Sequence, residues 1–218
     1  MSLLGYYCII CGKKLKKGDS VIKLSDFQVY HPDCYKKDRE EAYENIGKLD
    51  QQFLGEVRSH LDAFKTLVES ESISDSKSFY GIWGKQLFSI DLLGAVIAEA
   101  EMFGSLGFLK KIQLKRQLSK QRNTLIEIGT LYREDYGAIQ IERHMKELFP
   151  STGEPTLEQL KDEEKKALAI LKEQNVELCN ALETLYSDIK EVSKETAYKT
   201  REEMKRQIQQ IPKRVESL

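Results

Sequence analysis

Two short stretches, Cys8-Ile9-Ile10-Cys11-Gly12 and Tyr30-His31-Pro32-Asp33-Cys34, decide the fold of the first part of this chain. Together they contain a C-x2-C-x19-H-x2-C spacing, in which two close pairs of soft ligands are separated by about the length of a hairpin. Three thiolates and one imidazole at this spacing suit a single tetrahedral Zn²⁺ ion. We therefore predict one structural zinc ion, held by Cys8, Cys11, His31 and Cys34.

Two other interpretations of these four residues compete with a structural zinc site. The cysteines could be unrelated core residues beside a surface histidine, but the pair spacing, Gly12 and the His31-Pro32 step all agree with a metal site. A catalytic zinc is disfavoured, because four protein ligands close the coordination sphere and leave no position for an activated water.

The residues around the ligands predict how the site is built. Gly12 allows the backbone to turn tightly after the second cysteine. Residues 21–24 and 27–30 are short β-prone runs separated by turn residues, and they predict a hairpin. Pro32 suits the first position of a helix and Asp33 suits the positive end of its dipole, so we expect a helix to begin at the second ligand pair. A knuckle, a hairpin and a helix start in this order describe a treble-clef arrangement.

The segment from Cys8 to Cys34 resembles the first zinc finger of a LIM domain, including the aromatic Tyr30 before the histidine. A LIM domain continues at once into a second finger, with a cysteine three residues after the fourth ligand. Here Lys37 occupies that position, and the sequence contains no later cysteine pair. The resemblance therefore implies a LIM-like half, with a role in protein–protein contacts rather than in reading bases.

From Pro32 onward the apolar spacing is helical, and we predict a mainly α fold. In this fold a small N-terminal treble-clef zinc finger, residues 1–36, is fused to a multi-helix bundle with a long C-terminal helix, residues 37–218. Apolar residues spaced three and four positions apart predict one long helix that continues directly from the zinc module. Its apolar stripe consists of Tyr35, Ala42, Ile46, Leu49, Phe53, Val57, Leu61, Phe64 and Val68. Other helices are predicted over residues 79–103, over 108–132 and then to 148, with a break at Gly104 and Gly107 and polar loops at 70–78 and 149–156.

The last helix is predicted to begin at a capping box of Thr156 and Gln159 and to end at Pro212. It contains a heptad register, with Leu168, Asn175, Leu182, Ile189 and Thr196 at a, and Leu171, Leu178, Leu185 and Val192 at d. Leucine at d with a single asparagine at a resembles a parallel zipper, so a homodimer through residues 168–196 is one interpretation. We favour packing against the chain's own helices, because positions e and g carry Cys179, Ala181 and Tyr186 without matched charges.

Composition describes a folded chain with little net charge. Of the 218 residues, 40% are hydrophobic and 32% charged, and the net charge of −1 gives no global attraction to nucleic acid or anionic lipid. Three of the four cysteines lie in the predicted site and Cys179 stands alone, which favours a reducing, cytoplasmic location. We expect no signal peptide. The apolar stretch from Leu87 to Leu109 contains Asp91, Glu99 and Glu101, so we interpret it as a buried helix rather than a membrane span.

A run of six cations without an intervening acid is the second candidate site. It could contact phosphates or an acidic partner, although the solvated flank of an amphipathic helix is the interpretation we favour. The run consists of Lys110, Lys111, Lys115, Arg116, Lys120 and Arg122.

Other chemistry-bearing residues fit structural roles better. Phe79, Tyr80, Trp83 and Phe88 could line a groove but are expected in the core, and His60 and His144 lack partners at metal-ligand spacing. No catalytic motif is found. The sequence predicts a non-enzymatic zinc-binding protein that contacts an unknown protein partner. Nucleic-acid binding through the finger and the basic run, and an enzyme built on the helical body, are the alternatives.

Overall fold

The computed structural model describes residues 6–25, 27–150 and 153–218, and it is mainly α-helical. The predicted fold class is confirmed: a small β-sheet lies beside the four candidate ligands, and the rest of the chain forms helices that end with a very long one. The elements are β1 Ser20–Ser25, β2 Gln28–Tyr30, α1 Pro32–Asn45, α2 Lys48–Glu69, α3 Ser76–Met102, α4 Phe108–Leu131, α5 Gly137–Leu148, α6 Leu157–Gln210 and β3 Val215–Ser217. A π-helical turn, Tyr132–Tyr136, joins α4 to α5, and 3-10 turns cover Glu71–Ser74 and Ile211–Arg214.

The chain divides into two compact units. The first, here the finger unit, comprises Met1–Leu49 and Lys194–Leu218, and the second, the helical unit, comprises Asp50–Ser193. The predicted domains 1–36 and 37–218 stay a prediction.

The sheet of the finger unit contains a strand that the sequence did not predict. Its order is β2-β1-β3, with both pairs antiparallel, and Val21 of β1 pairs with Glu216 of β3. The pairing continues at the edge, where the amide of Leu218 donates to the carbonyl of Asp19 at 3.0 Å and the amide of Gly18 donates to the carbonyl of Leu218 at 3.1 Å. The last residues of the chain are therefore part of the finger unit.

The single helix predicted from residue 35 to residue 68 is wrong. α1 ends at Asn45 and α2 begins at Lys48, because Gly47 has a φ of +77°, in the left-handed region that favours glycine and ends a helix. Gly47 also lies close to Ala197, whose Cβ would be 3.1 Å from any Cβ added there. The apolar stripe continues across the break, so periodicity alone did not reveal it.

The predicted loop at residues 70–78 is only partly correct. It contains a 3-10 turn, and α3 begins within it at Ser76 because Asp75 caps the helix, its Oδ2 accepting from the amide of Ser78 at 2.8 Å. The break after α3 is confirmed: Gly104 has a φ of +64° and α4 begins at Phe108.

The start and end of the last helix are as predicted. The amide of Thr156 donates to Oε1 of Gln159 at 2.7 Å, and the amide of Gln159 donates to Oγ1 of Thr156 at 3.2 Å, which is the expected capping box. Pro212 stands in the 3-10 turn that follows α6. Of the loop before the helix, residues 151–152 lie outside the described residues, as do residues 1–5, where no signal peptide was expected.

The core of the helical unit is one continuous apolar cluster supplied by α2, α3, α4 and α6. Within this unit the heptad positions from Leu171 to Val192 are buried inside the chain's own fold, and Asn175 is buried with them. This agrees with the intrachain interpretation of the heptads. The homodimer stays a prediction.

Among the described residues, α3 alone is long and apolar enough to cross a membrane, with a mean hydropathy of 1.2. It supplies Ile90, Leu93, Val96 and Ile97 to the core of the helical unit. The apolar stretch from Leu87 to Leu109 is not one helix, and the residues that the structure describes give no clear transmembrane segment.

Candidate metal centre

The first ligand pair is held by a knuckle whose backbone bonds close on themselves. The amide of Gly12 donates to the carbonyl of Cys8 at 2.8 Å, and the amide of Cys8 donates to the carbonyl of Lys13 at 2.9 Å. Gly12 has a φ of +70°, a conformation that L side chains rarely adopt. This turn directs both cysteines of the pair to the same side.

The second pair lies at the beginning of α1, as the sequence predicted. His31 is the extended N-cap residue of the helix, Pro32 occupies its first position, and Cys34 falls in its first turn. The amide of Tyr35 donates to the carbonyl of His31 at 3.0 Å, which starts the helical bonding. A helix start and a knuckle therefore present two ligands each.

The four side chains converge on one point. The sulfurs of Cys8, Cys11 and Cys34 and a ring nitrogen of His31 all lie within 4.8 Å of one another. Nδ1 of His31 is 3.4 Å from Sγ of Cys11 and 3.9 Å from Sγ of Cys34. Two ligands on a tetrahedral zinc, with Zn–S near 2.3 Å and Zn–N near 2.1 Å, would be about 3.6 Å apart. The geometry fits such an ion, and it identifies Nδ1 as the nitrogen that would bind.

Burial and hydrogen bonding act differently on the sulfurs. Burial opposes a charged Cys8 thiolate, but the backbone donors of Cys11, His31 and Ile10 outweigh it and lower the pKa of the Cys8 thiol to about 6. One of these donors, the amide of His31, is 3.4 Å from the Cys8 sulfur. These backbone amides therefore favour a thiolate at Cys8.

The opposite happens at Cys34. Burial, and then the adjacent sulfurs of Cys11 and Cys8, raise the pKa of the Cys34 thiol to about 11. A second thiolate is disfavoured beside the first because like charges repel. A divalent cation among them would reverse that balance, because coordinating thiols are deprotonated by the metal. The donor set thus fits a metal ion such as zinc.

The environment of the site is closed on one side and open on the other. Cys8 is fully buried in a small cluster with Leu15, Val21 and Val29, against which Leu218 packs. Cys11 is exposed. Four protein donors leave no vacant position for a substrate, so the arrangement suits a structural ion rather than a reaction centre.

The cations of the second candidate site are brought onto one helix, α4, but most of them already have acidic partners. Lys111 and Lys115 pair with Glu101, Arg122 pairs with Asp91 at 2.9 Å, and Lys110 lies 3.6 Å from Asp188. Within residues 6–25, 27–150 and 153–218, Arg116 and Lys120 form no ion pair. Contact of these six residues with phosphate or an acidic partner stays a prediction.

The remaining singled-out side chains make structural contacts, but Tyr80 and Phe88 are 41% and 48% exposed, so the expectation of a core position is wrong for these two. Phe79 is buried and stacks on Tyr132 with ring centroids 3.9 Å apart, and Nε1 of Trp83 donates to the carbonyl of Leu125 at 2.7 Å. Nδ1 of His60 is 2.9 Å from the hydroxyl of Ser89, and His144 lies 3.9 Å from Glu147. In the part of the chain that the structure describes, the Cys3His group is the one cluster with metal-ligand geometry.

Sequence reasoning missed the backbone donors around Cys8 and the strand that completes the sheet. The amides carry no residue-type signal, since any residue other than proline at those positions offers the same N–H group.

Comparison with protein-family models, with curated proteins and with solved structures gave no match for this chain.

Proposed function

We propose that this chain is a non-enzymatic zinc-binding protein that acts as a protein–protein interaction module. The observation that carries the proposal is the convergence of three thiols and an imidazole nitrogen within 4.8 Å. Under this proposal Cys8, Cys11, His31 and Cys34 hold one Zn²⁺ ion, and the site is a closed finger that resembles half of a LIM domain. The free thiols suit a reducing compartment, and the cytoplasm is the expected location.

The ion stabilises a part of the fold whose apolar core is small. Apart from the Cys8 ligand, the cluster beside the site contains only three buried side chains in the described residues, Leu15, Val21 and Val29. Structural zinc in such modules contributes an apparent binding free energy of about 10–16 kcal/mol at neutral pH. The ion would therefore fix the knuckle against the start of α1.

The surface of the finger unit supports a binding role. Phe27, between β1 and β2, is 91% exposed, and Ile9, at the tip of the knuckle, is 53% exposed. Tyr7, Ile10 and Leu24 are further exposed apolar side chains of the same unit. These five exposed large apolar side chains on a unit of this size are available for contact with a partner protein, and a contiguous patch of them would be typical of a binding surface.

Metal content tests the zinc half of the proposal. We expect about one zinc per chain in purified protein by elemental analysis, and its loss in Cys8→Ser and Cys34→Ser. Cys179→Ser is the matched control, because Cys179 belongs to the helical unit and is not part of the Cys3His group. Protein free of stoichiometric zinc, or equal zinc in all variants, would contradict the proposal.

Affinity capture from cell extract tests the binding half. Proteins retained by the wild-type chain should be lost with Phe27→Asp and Ile9→Asp, while zinc content stays unchanged. Leu109→Asp is the control, since Leu109 is 81% exposed on α4 of the helical unit. An identical set of captured proteins for all three variants would argue against a binding surface on the finger.

A further inference from the structure

The short helix α5 has its apolar side chains on the outside. It lies wholly within the described residues and is strongly amphipathic, yet none of its residues is buried. Ile141 is 68% exposed, Met145 51% and Leu148 57%, and Phe149 directly after the helix is 67% exposed. An amphipathic helix on a protein surface normally turns this face toward the core.

The polar face of α5 is attached to α6 instead. Nε of Arg143 lies 2.7 Å from Oε2 of Glu164, and Nε2 of Gln140 lies 3.3 Å from the other oxygen of that carboxylate. Gln140 also donates to the hydroxyl of the buried Tyr136 at 2.9 Å. The Glu164 side chain is only 19% exposed, so this ion pair is well shielded. These contacts fix the rotation of α5 and keep its apolar face outward.

An open groove of about 430 Å³ lies between α5, the π-helical turn Tyr132–Tyr136 and α6. Its apolar lining comes from both helices and includes Ala138, Ile139, Ala167 and Ile170. π-Helical turns are rare and occur frequently at functional sites. The groove thus has an apolar lining between two helices, which is the kind of surface that helix-in-groove recognition uses.

The charges around the groove indicate what it accepts. Four carboxylates line it, those of Glu134, Asp135, Glu142 and Glu163, whereas Lys166 is its one lining cation among the described residues. Arg133 pairs with Glu134 at 2.5 Å and reduces this excess without removing it. A groove whose lining combines apolar side chains with an excess of carboxylates is complementary to a ligand with an apolar face and basic flanks.

We propose that this groove binds an amphipathic helix of a partner protein, with a leucine- or phenylalanine-rich face flanked by lysine or arginine. This deepens the proposed interaction function and rests on it. A second copy of the chain is disfavoured as the occupant. In a two-fold contact each copy would bring the same excess of carboxylates against the other.

A designed peptide provides the direct test, with the full-length zinc-loaded protein. The probe is a fluorescent helix of about 18 residues, made of leucine at steps of three and four with lysine elsewhere. Its twin has glutamate in place of every lysine. Fluorescence anisotropy should show saturable binding of the lysine peptide that weakens with added salt, and no binding of the glutamate twin.

Variants locate the binding to the groove. Ile170→Asp should weaken binding of the lysine peptide at least tenfold, because Ile170 is 51% exposed and the change places a charge in the apolar lining of the groove. Glu142→Lys with Glu163→Lys should weaken binding about tenfold and flatten its salt dependence. Leu109→Asp, at an exposed site on α4 outside the groove lining, should leave affinity unchanged. Circular dichroism and zinc content, measured on the same samples, verify that each variant is folded.

Three results would overturn the groove proposal. They are unchanged affinity in Ile170→Asp, equal affinity for the glutamate twin, and a wild-type dimer in sedimentation that Ile170→Asp dissociates. If zinc content is normal in such an experiment, the groove proposal fails and the zinc-finger proposal stands.

Discussion

The finger unit and the helical unit are stabilised in different ways. The finger unit has two small buried clusters in its described residues, one around Cys8 and one formed by Ile22, Tyr35 and Ile211. The helical unit has a continuous apolar core drawn from four helices. Burial of apolar surface stabilises the second, whereas the small clusters of the first leave more of its stability to other contacts. Under the proposed function, zinc would supply that stability in the finger unit, and the helical unit would fold without it.

Removal of the metal should have the largest effect, and only on the finger unit. With a strong chelator, backbone amides of β1 and β2 should lose most of their protection against hydrogen exchange, since the zinc contributes about 10–16 kcal/mol in such modules. Amides of α3 and α4 should keep theirs. Hydrogen-exchange mass spectrometry measures both in one sample.

Added zinc should restore the protection of the strands. Strands that remain protected in the chelated protein would show that the metal does not hold the finger together. A simultaneous loss of protection in α3 would show that the two units do not differ as described.

A cavity in the core of the helical unit should destabilise that unit and leave the zinc site of the finger unit unchanged. Leu93 is 1% exposed, and Leu93→Ala should lower the free energy of unfolding by about 2–5 kcal/mol without changing zinc content. Denaturant titration by circular dichroism checks this. Leu109→Ala, at an 81% exposed position, is the control and should change stability little. Zinc loss in Leu93→Ala would contradict the separation of the two units.

Deletion of residues 215–218 should weaken the finger unit by a smaller amount. It removes β3, its pairing with β1, and the packing of Leu218 beside Cys8. Since a few net hydrogen bonds and one partly buried side chain are lost, we expect about 1–3 kcal/mol. Competition with a chromophoric chelator should show weaker zinc binding. Glu216→Ala, which retains the strand, is the control, and equal affinity of the deleted and intact chains would show that β3 does not support the site.

The smallest effect is expected from a carboxyl pair in the helical unit. Burial, and then the charge and hydrogen bond of Asp50, raise the pKa of Glu99 above its ordinary value of 4.5. The folded protein then holds this proton more tightly than the unfolded chain, so stability falls as pH rises from 4.5 through the raised pKa. Glu99→Gln should remove this fall and should be more stable than wild type at neutral pH.

Thermal unfolding across pH 4–8 measures the difference, with the exposed Glu127→Gln as the control. The change should be smaller than that of Leu93→Ala. A wild-type protein that gains stability relative to Glu99→Gln as pH rises would reverse the sign and contradict the account of this pair.

The sequence predicts those features that repeat or that have local signals. Ligand spacing identifies the Cys3His cluster, apolar periodicity identifies α3 and α4, and the Thr156–Gln159 pair identifies the start of α6. It does not predict β3, because three exposed residues have no apolar alternation and their partner strand lies far away along the chain. It also misses the break at Gly47, where the apolar stripe passes through the turn without interruption.

The outward face of α5 shows a different limit. The sequence predicts a helix to residue 148 that contains Ile141, Met145 and Leu148, but its periodicity does not say what its apolar side contacts. The contacts of Arg143 and Gln140 with Glu164 show that the polar face is the one turned toward α6. A pattern gives the period of a helix, but its partners decide which side is buried.

X-ray absorption spectroscopy at the zinc edge tests the central claim most directly, because it counts the atoms bound to the ion. For the purified protein we predict three sulfurs at about 2.3 Å and one nitrogen at about 2.0–2.1 Å. The Cys179→Ser variant should give the same spectrum. Fewer than three sulfurs, or an oxygen ligand in the fourth position, would contradict a closed structural site formed by Cys8, Cys11, His31 and Cys34.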